Sequence, residues 1–374
     1  MLEERLRAAL ALPEERAPVG SAVALLLADA AAAGVSDIHL NPAPDGLEVL
    51  YRRDGVLQRQ ALLPVEARER VVGRVKVLAG LLTYRRDVAQ DGQISAKEAQ
   101  VPTDVRVAIF PTIHGEKAVL RFFLHGPDKF ELRALGLEPA IADALAAAVR
   151  RPEGVVLLTG PSGSGKTTTI YGLLHEIAAK RHVVTIEDPV EHALPGVTQT
   201  QVNPNAGVTF GYSLRALLRQ DPEVIMVGEI RDRETAHVAM EAGLTGHLVI
   251  STVHAGTAVG VVTRLLEMGI EPHVLTASLA CVLAQRLLRR RCAACTGVGC
   301  DACARTGFRG RCVMGELLAP DEPFRRAVAS GADAAALQKL ALERGLVPLR
   351  AAGERLVREG TTTEAELIRI LGSH

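Results

Sequence analysis

Two textures of apolar spacing divide the chain. Up to about residue 125, short alternating runs mix with helical spacing. Residues 21–33 are rich in Ala and Leu and stop at Gly34, which predicts a helix. Residues 47–52 and 56–60 read as short strands around Arg53-Asp54-Gly55, since Asp-Gly favours a hairpin turn. In 64–82, Val71, Val72, Val75, Leu78, Ala79 and Leu82 recur at helical spacing with charges opposite. Residues 103–110 alternate, Val105, Val107 and Ile109 against Arg106. After a turn at His114-Gly115, the run 117–124 sets Leu120 and Phe122 on one face and Arg121 on the other. This predicts an α+β domain over 1–125, then a linker at 126–133 containing Gly126-Pro127-Asp128-Lys129.

Beyond the linker the texture changes. Continuous apolar runs at 155–158, 183–186, 224–227 and 248–251 alternate with helical segments. Such runs are strands buried on both faces, so an α/β domain with a mostly parallel sheet is expected over 134–374, ending in helices over 320–374. The apolar stretch around Cys281 is read as a helix, with Cys281 a small buried hydrophobe.

Composition narrows the classes. The 374 residues carry 43 Lys plus Arg against 43 Asp plus Glu, and 48% are hydrophobic. That balance excludes a disordered chain and argues against a coat for nucleic acid, which needs net positive charge. There is no Trp and only 3% of residues are aromatic, so base-stacking platforms are not expected either. No run is long enough to span a membrane, and no signal peptide is apparent, which points to the cytoplasm. All six cysteines fall between Cys281 and Cys312, a spacing that suggests a local metal site in a reducing compartment.

The chemistry concentrates in four places. Gly160-Pro161-Ser162-Gly163-Ser164-Gly165-Lys166-Thr167 fits the phosphate-loop pattern between a strand and a helix that opens at Thr168. Its backbone N–H groups form an anion nest, Lys166 reaches the β- and γ-phosphates, and the Thr167 hydroxyl ligates Mg²⁺. The run 224–229 ends in Glu229, where a Walker B carboxylate that holds Mg²⁺ belongs. After the strand at 183–186, Glu187, Asp188 and Glu191 crowd the strand end at which open α/β sheets bind ligands, and one of them could polarise a water. His247 and His254 flank the strand at 248–251 and are candidates for sensing nucleotide.

Together these elements resemble the ATPases of type II secretion and type IV pilus assembly. The resemblance runs nearly the length of the chain: Ser36-Asp37-Ile38-His39, Arg53-Asp54-Gly55, Gln90-Asp91-Gly92, Gly115-Glu116-Lys117, the phosphate loop, the acidic box at 185–191, Gly228-Glu229-Ile230-Arg231-Asp232 and the histidine box at 247–254. It implies a PAS-like N-terminal domain, a RecA-like ATPase core and a homohexameric ring with ATP bound between domains and subunits. It implies that Glu191 activates water, that Glu229 acts at Mg²⁺, and that Arg106 and Arg121 complete the site as cations. Arg215 and Arg219 match family arginines near the nucleotide. The implied partner is an inner-membrane platform protein, with the ring peripheral to that membrane. Ala89 stands where the family usually has Pro, and a chain without the extra N-terminal domain of many members is the expectation.

Cys292-Ala-Ala-Cys295 and Cys300-Asp-Ala-Cys303 form two C-x-x-C pairs suited to one tetrahedral Zn²⁺, in a module over 286–316. Four residues separate the pairs, a turn that Gly297 and Gly299 permit. The family's assembly and secretion branch carries such a module and its retraction branch typically lacks it. The expected function is therefore a Mg-ATP-driven assembly or secretion motor, with a retraction or DNA-uptake motor as the alternative. A nucleic-acid translocase is disfavoured by charge and aromatic content. Cys312 is unassigned, and residues 286–311, with seven Arg and one Asp, form a basic knob.

Overall fold

A computed structural model describes residues 1–13, 17–122 and 130–373. The chain divides into two compact units, Met1–Gly126 and Pro127–His374. The predicted linker residues 126–129 lie outside the described residues, as do 123 and 124 at the end of the predicted 117–124 strand.

The first unit runs α1 (Leu2–Leu10), α2 (Pro18–Ala32), β1 (Asp37–Ala43), β2 (Gly46–Arg53), β3 (Val56–Leu63), α3 (Ala67–Leu78), β4 (Gln90–Ile94), α4 (Ala96–Ala99), β5 (Val105–Thr112) and β6 (Gly115–Phe122). Its six strands form one antiparallel sheet in the order β3-β2-β1-β6-β5-β4. Period-two alternation sends Ile38, Leu40, Leu47, Val49, Val105, Val107 and Leu120 into one core with Leu26, Leu27, Val71 and Val75 of the helices. The third helix is shorter than the predicted 64–82. Gly80, at φ 68, turns the chain out, and Leu82 is exposed. In this core Lys76 is fully buried. Its Nζ donates to Glu116 Oε1 at 2.6 Å and to the Arg85 carbonyl at 2.7 Å.

The second unit begins with a short 3-10 turn at Leu132–Leu135, followed by α5 (Pro139–Val149), β7 (Gly154–Thr159), α6 (Lys166–Ile177), β8 (Val183–Glu187), β9 (Val197–Gln201), α7 (Phe210–Leu217), β10 (Val224–Ile230) and α8 (Arg233–Leu244). Next come β11 (Leu248–Val253), α9 (Ala258–Glu267), α10 (Pro272–Ser278), β12 (Leu279–Arg291), β13 (Phe308–Leu318), α11 (Glu322–Ala329), α12 (Ala334–Glu343), α13 (Leu349–Arg358) and α14 (Glu364–Leu371). The sheet order is β13-β12-β7-β11-β10-β8-β9, parallel except for the final β12–β13 pair. Alternate residues of one strand feed two cores. Val155 and Leu157 of β7 enter one, and Val156 and Leu158 enter the other. That is why these strands read as unbroken apolar runs. Thr209, Asp232, Thr257, Asp321, Asp333 and Thr363 cap the helices that follow them, each accepting a backbone N–H.

One expectation is overturned. Cys281 sits on strand β12, not in a helix; helix α10 ends at Ser278. A continuous apolar run satisfies either structure, and here pairing with β7 decides for strand. Cys281 is nonetheless buried, and burial pushes its thiol up to about 12.

Candidate nucleotide site and cysteine hairpin

The phosphate loop joins the carboxyl end of β7 to the first turn of α6. Gly160, Gly163 and Gly165 have φ of 148°, 76° and 89°, a backbone that other residues adopt only with strain. A Cβ on Gly160 would lie 2.5 Å from the Gln285 carbonyl and 2.6 Å from Ser164 Oγ. Ser164 Oγ is itself buried without a hydrogen-bond partner. A backbone nest at a helix N-terminus with an orphaned hydroxyl inside it fits a polyphosphate. Lys166 Nζ donates to the carbonyls of Gly160 at 2.8 Å and Pro161 at 3.1 Å. Burial pushes its ammonium below the ordinary value, while the charges of Glu229 and Glu191 oppose that fall and Arg286 adds to it. Both carboxylates therefore lie within electrostatic range of the loop lysine. Thr167 and Thr168 occupy the first turn of α6 beside it.

Each carboxylate is held by its own scaffold. Glu229 is the next-to-last residue of β10, partly buried, ion-paired with Arg231 and 3.4 Å from His254 Nε2. Thr252 Oγ1 donates to the Gly228 carbonyl at 2.9 Å, tying β11 to the Glu229 turn. Thr159 Oγ1 both donates to the Ala255 carbonyl at 2.8 Å and accepts the Ala255 N–H at 2.9 Å. That stitch joins the segment after β11 to the end of β7. In the acidic box Glu187 and Glu191 differ. Glu187 is 3% exposed and accepts from Thr185 Oγ1 at 2.6 Å, Gln199 Nε2 at 3.0 Å and the Tyr171 hydroxyl. Tyr171 Oη in turn accepts the Glu191 N–H at 3.3 Å. Glu187 is thus a structural anchor, and Glu191 stands exposed at the end of the relay.

Not all the predicted residues converge here. His247 lies at the amino end of β11, its ring 3.3 Å from the Ala242 carbonyl, with the six-residue strand between it and His254. The two histidines occupy opposite sheet edges, because flanking a strand in sequence means lying a strand length apart, about 20 Å. Arg215 pairs with Glu234 of α8, and Arg219 follows the end of α7. Arg106 and Arg121 belong to the N-terminal unit, where they face each other directly across β5 and β6, opposite the core. Sequence reasoning passed over Gln285, Arg286 and Tyr171. A signal existed for Gln285: it is a polar residue inside an apolar strand, 1% exposed.

The second cluster lies on the loop between β12 and β13. The Sγ atoms of Cys292, Cys295, Cys300 and Cys303 all lie within 4.8 Å of one another. The pairs Cys292–Cys300, Cys295–Cys303 and Cys300–Cys303 are separated by 3.9, 3.8 and 3.8 Å. A tetrahedron with Zn–S bonds of about 2.3 Å has S···S edges of about 3.8 Å. Backbone N–H groups of Gly299, Cys300 and Gly307 point at Cys295 and Cys303 sulfurs at 3.2–3.3 Å. The donors from Cys300 and Gly307 hold the Cys303 thiol down at about 6. This is the donor set of a thiolate metal centre. The turn between the pairs needs its glycines: Gly297 and Gly299 have φ of 95° and 105°. Cys312 stands apart, buried on β13 with its Sγ 3.6 Å from the Leu288 carbonyl. The base of the hairpin is bolted to the C-terminal helices. Glu366 takes Arg289 Nη2 at 2.8 Å and pairs with Arg369, while Arg289 stacks 4.1 Å from the Phe308 ring centre.

Comparison with known proteins shows the family to which the chain belongs. The chain is 43% identical over 367 residues to the type II secretion system protein HxcR of Pseudomonas aeruginosa, covering 96% of this chain and 78% of that one. It is 40% identical over 385 residues to the type II secretion system ATPase E of Vibrio cholerae, covering 96% and 76%. The type IV pilus assembly ATPase PilB of Thermus thermophilus matches at 40% over 361 residues, 89% of this chain and 41% of the longer protein. Among solved structures, the pilus retraction motor PilT with bound ADP aligns over 93% of this chain and 96% of that one, with a TM-score of 0.67 and 25% identity. The ATPase DotB of Legionella pneumophila shares the fold at a TM-score of 0.71, covering 94% of this chain and 95% of that one at 21% identity. With residues 13–369 matched from end to end by the family described as type II/IV secretion system protein, the chain belongs to that family.

Proposed function

We propose that this chain is the subunit of a Mg-ATP-hydrolysing motor that powers type IV pilus assembly or type II protein secretion. The observation that carries the reading is the convergence of Lys166, Glu229 and Glu191 at one sheet edge, beside a loop whose buried Ser164 hydroxyl lacks a partner. In this reading the loop N–H groups and Lys166 bind and orient the β- and γ-phosphates, and Glu191 takes the proton of the attacking water. Thr167 and Glu229 would hold Mg²⁺, which neutralises phosphate charge when bound. Arg106 and Arg121 supply positive charge for the transition state. His254 is the histidine positioned to report on Glu229.

The remaining assignments follow the resemblance. We propose a division at 126–133 into a PAS-like domain and a RecA-like core, assembly as a homohexamer, and a platform protein at the inner membrane as the partner. Among the described residues no helix is long and apolar enough to cross a membrane, which suits a peripheral motor. Identities of 38–43% to secretion and pilus assembly proteins, against 25% to the retraction motor, favour assembly or secretion over retraction. The four cysteines would bind one Zn²⁺ as a structural centre.

Phosphate release by the purified chain with ATP and Mg²⁺ tests the core of this reading. Turnover that is lost in Lys166→Ala supports it; turnover insensitive to that change excludes it.

A further inference from the structure

Strand β12 carries a residue that its surroundings do not ask for. Val282, Leu283, Ala284 and Leu288 on the same strand are fully buried and apolar, yet Gln285 among them is only 1% exposed. A buried carboxamide costs stability unless each end is paired, and a hydrophobe would fill the site without that requirement. Both ends of Gln285 are paired, and both partners belong to the phosphate-loop segment. Its Oε1 accepts from Thr169 Oγ1 at 3.0 Å, in the first turn of α6. Its Nε2 donates to the Ser164 carbonyl at 2.7 Å, inside the loop. The backbone is equally close. Cβ atoms on Gly160 and Gly165 would lie 2.5 Å from the Gln285 carbonyl and 3.1 Å from its Nε2. The approach of β12 therefore bars a side chain at Gly160 and crowds one at Gly165, besides the demand of their own φ angles.

The Ser164 contact has a directional consequence. A trans peptide is planar, so its C=O and the following N–H point opposite ways. Pulling the Ser164 carbonyl toward β12 turns the Gly165 N–H away from β12. That N–H sits at the N-terminus of α6, where unsatisfied donors and the helix dipole attract anions. We propose that Gln285 is a positioning residue for nucleotide: its side-chain amide fixes the Ser164–Gly165 peptide so that the Gly165 N–H is aimed at the phosphates. Gln285 does not touch nucleotide; it acts through the loop. The inference rests on the nucleotide-binding reading of that loop.

Fluorescently labelled ADP with Mg²⁺ measures the effect, alongside KM and kcat for ATP. Gln285→Met keeps the volume and deletes both hydrogen bonds. It should raise Kd and KM about tenfold while kcat stays within about threefold, the cost of one misaligned phosphate donor. Gln285→Glu keeps the acceptor for Thr169 but sets a carboxylate against the Ser164 carbonyl. Its Kd should be raised at pH 8 and recover toward wild type as the pH falls and the buried carboxyl regains a proton to donate. A role confined to packing would not produce that pH dependence. A folded Gln285→Met with wild-type Kd and KM overturns the inference while leaving the nucleotide reading intact, as does a Gln285→Glu whose Kd follows the wild-type pH profile. Wild-type protein that binds no ADP removes the nucleotide reading itself.

Discussion

Arg121 Nε lies 2.8 Å from Asp37 Oδ1, on the sheet face of the N-terminal unit opposite its core. Arg52 reaches the other oxygen of the same carboxylate at 3.5 Å, and Ser36 Oγ donates to that oxygen at 2.8 Å. Asp37 is 3% exposed, so it is a fixed point from which Arg121 is aimed. Arg106 stands directly across the strand pair from Arg121, and Asp37 offsets the repulsion between them. If these arginines serve phosphate charge, Arg121→Ala should lower kcat on the order of 10³-fold. Asp37→Asn should lower kcat on the order of tenfold with ADP affinity unchanged. Steady-state phosphate release with parallel nucleotide titration checks both, and a wild-type kcat in Arg121→Ala excludes the role.

Glu191 and Glu187 should behave oppositely when changed. Glu191→Gln should bind labelled ATP as tightly as wild type and lose turnover by about 10²- to 10⁴-fold, the range of a lost general base. Glu187→Ala removes the buried acceptor shared by Tyr171, Thr185 and Gln199, so it should lower the melting temperature as well as activity. Calorimetry on both variants separates the two effects.

The Lys76–Glu116 pair explains the Glu in Gly115-Glu116-Lys117 without reference to catalysis. Glu116→Ala leaves a buried ammonium with the Arg85 carbonyl but no counter-charge, at a cost of about 3 kcal/mol. The converse, Lys76→Met, should be far milder, because it removes the buried charge itself. Urea unfolding of the two variants gives the comparison, and equal losses would contradict it.

Acid should loosen the hairpin base. Burial alone would raise the Glu366 carboxyl, but hydrogen bonds from Arg369 and Arg289 outweigh it and hold it at about 2. A carboxylate depressed in the folded state contributes stability that is fully present above its ordinary value of 4.5 and lost as pH falls toward 2. Protection factors against hydrogen exchange at Arg289 to Arg291, taken relative to the intrinsic rate at each pH, should therefore fall through that window in wild type, and already at neutral pH in Glu366→Ala.

One Zn²⁺ per chain is expected by metal analysis. Cys295→Ser with Cys300→Ser should abolish it and expose the 292–307 segment to proteolysis while the sheet remains folded. A stoichiometry well below one in the native protein excludes the four-cysteine centre.

Most of the second unit was legible because fully buried parallel strands write continuous apolar runs, and the phosphate loop is a local motif whose glycines, Lys166 and Thr167 each have a stated task. What failed to show was whatever depends on long-range pairing. The stretch through Cys281 carries no period that separates strand from helix, and only pairing of β12 with β7 decides it. His247 and His254 both flank one apolar run in sequence, and only the strand between them shows that they lie at opposite ends of β11. Roles within the acidic box were equally hidden. Glu187 and Glu191 look alike in sequence, and it is Tyr171, sixteen residues before Glu187 on another element, that distinguishes them.

The β12–β13 ladder runs in register from Val282 with Leu318 to Arg289 with Arg311 before the cysteine loop begins. After a register shift the pairing resumes at Arg291 with Phe308, so the cysteine loop hangs from a long paired hairpin. Its tip residue Val298 is 88% exposed. This makes the segment an attachment port: a probe or a small fused domain inserted there would ride on the same strand that carries Gln285, giving an optical handle on the motor's state without entering either core.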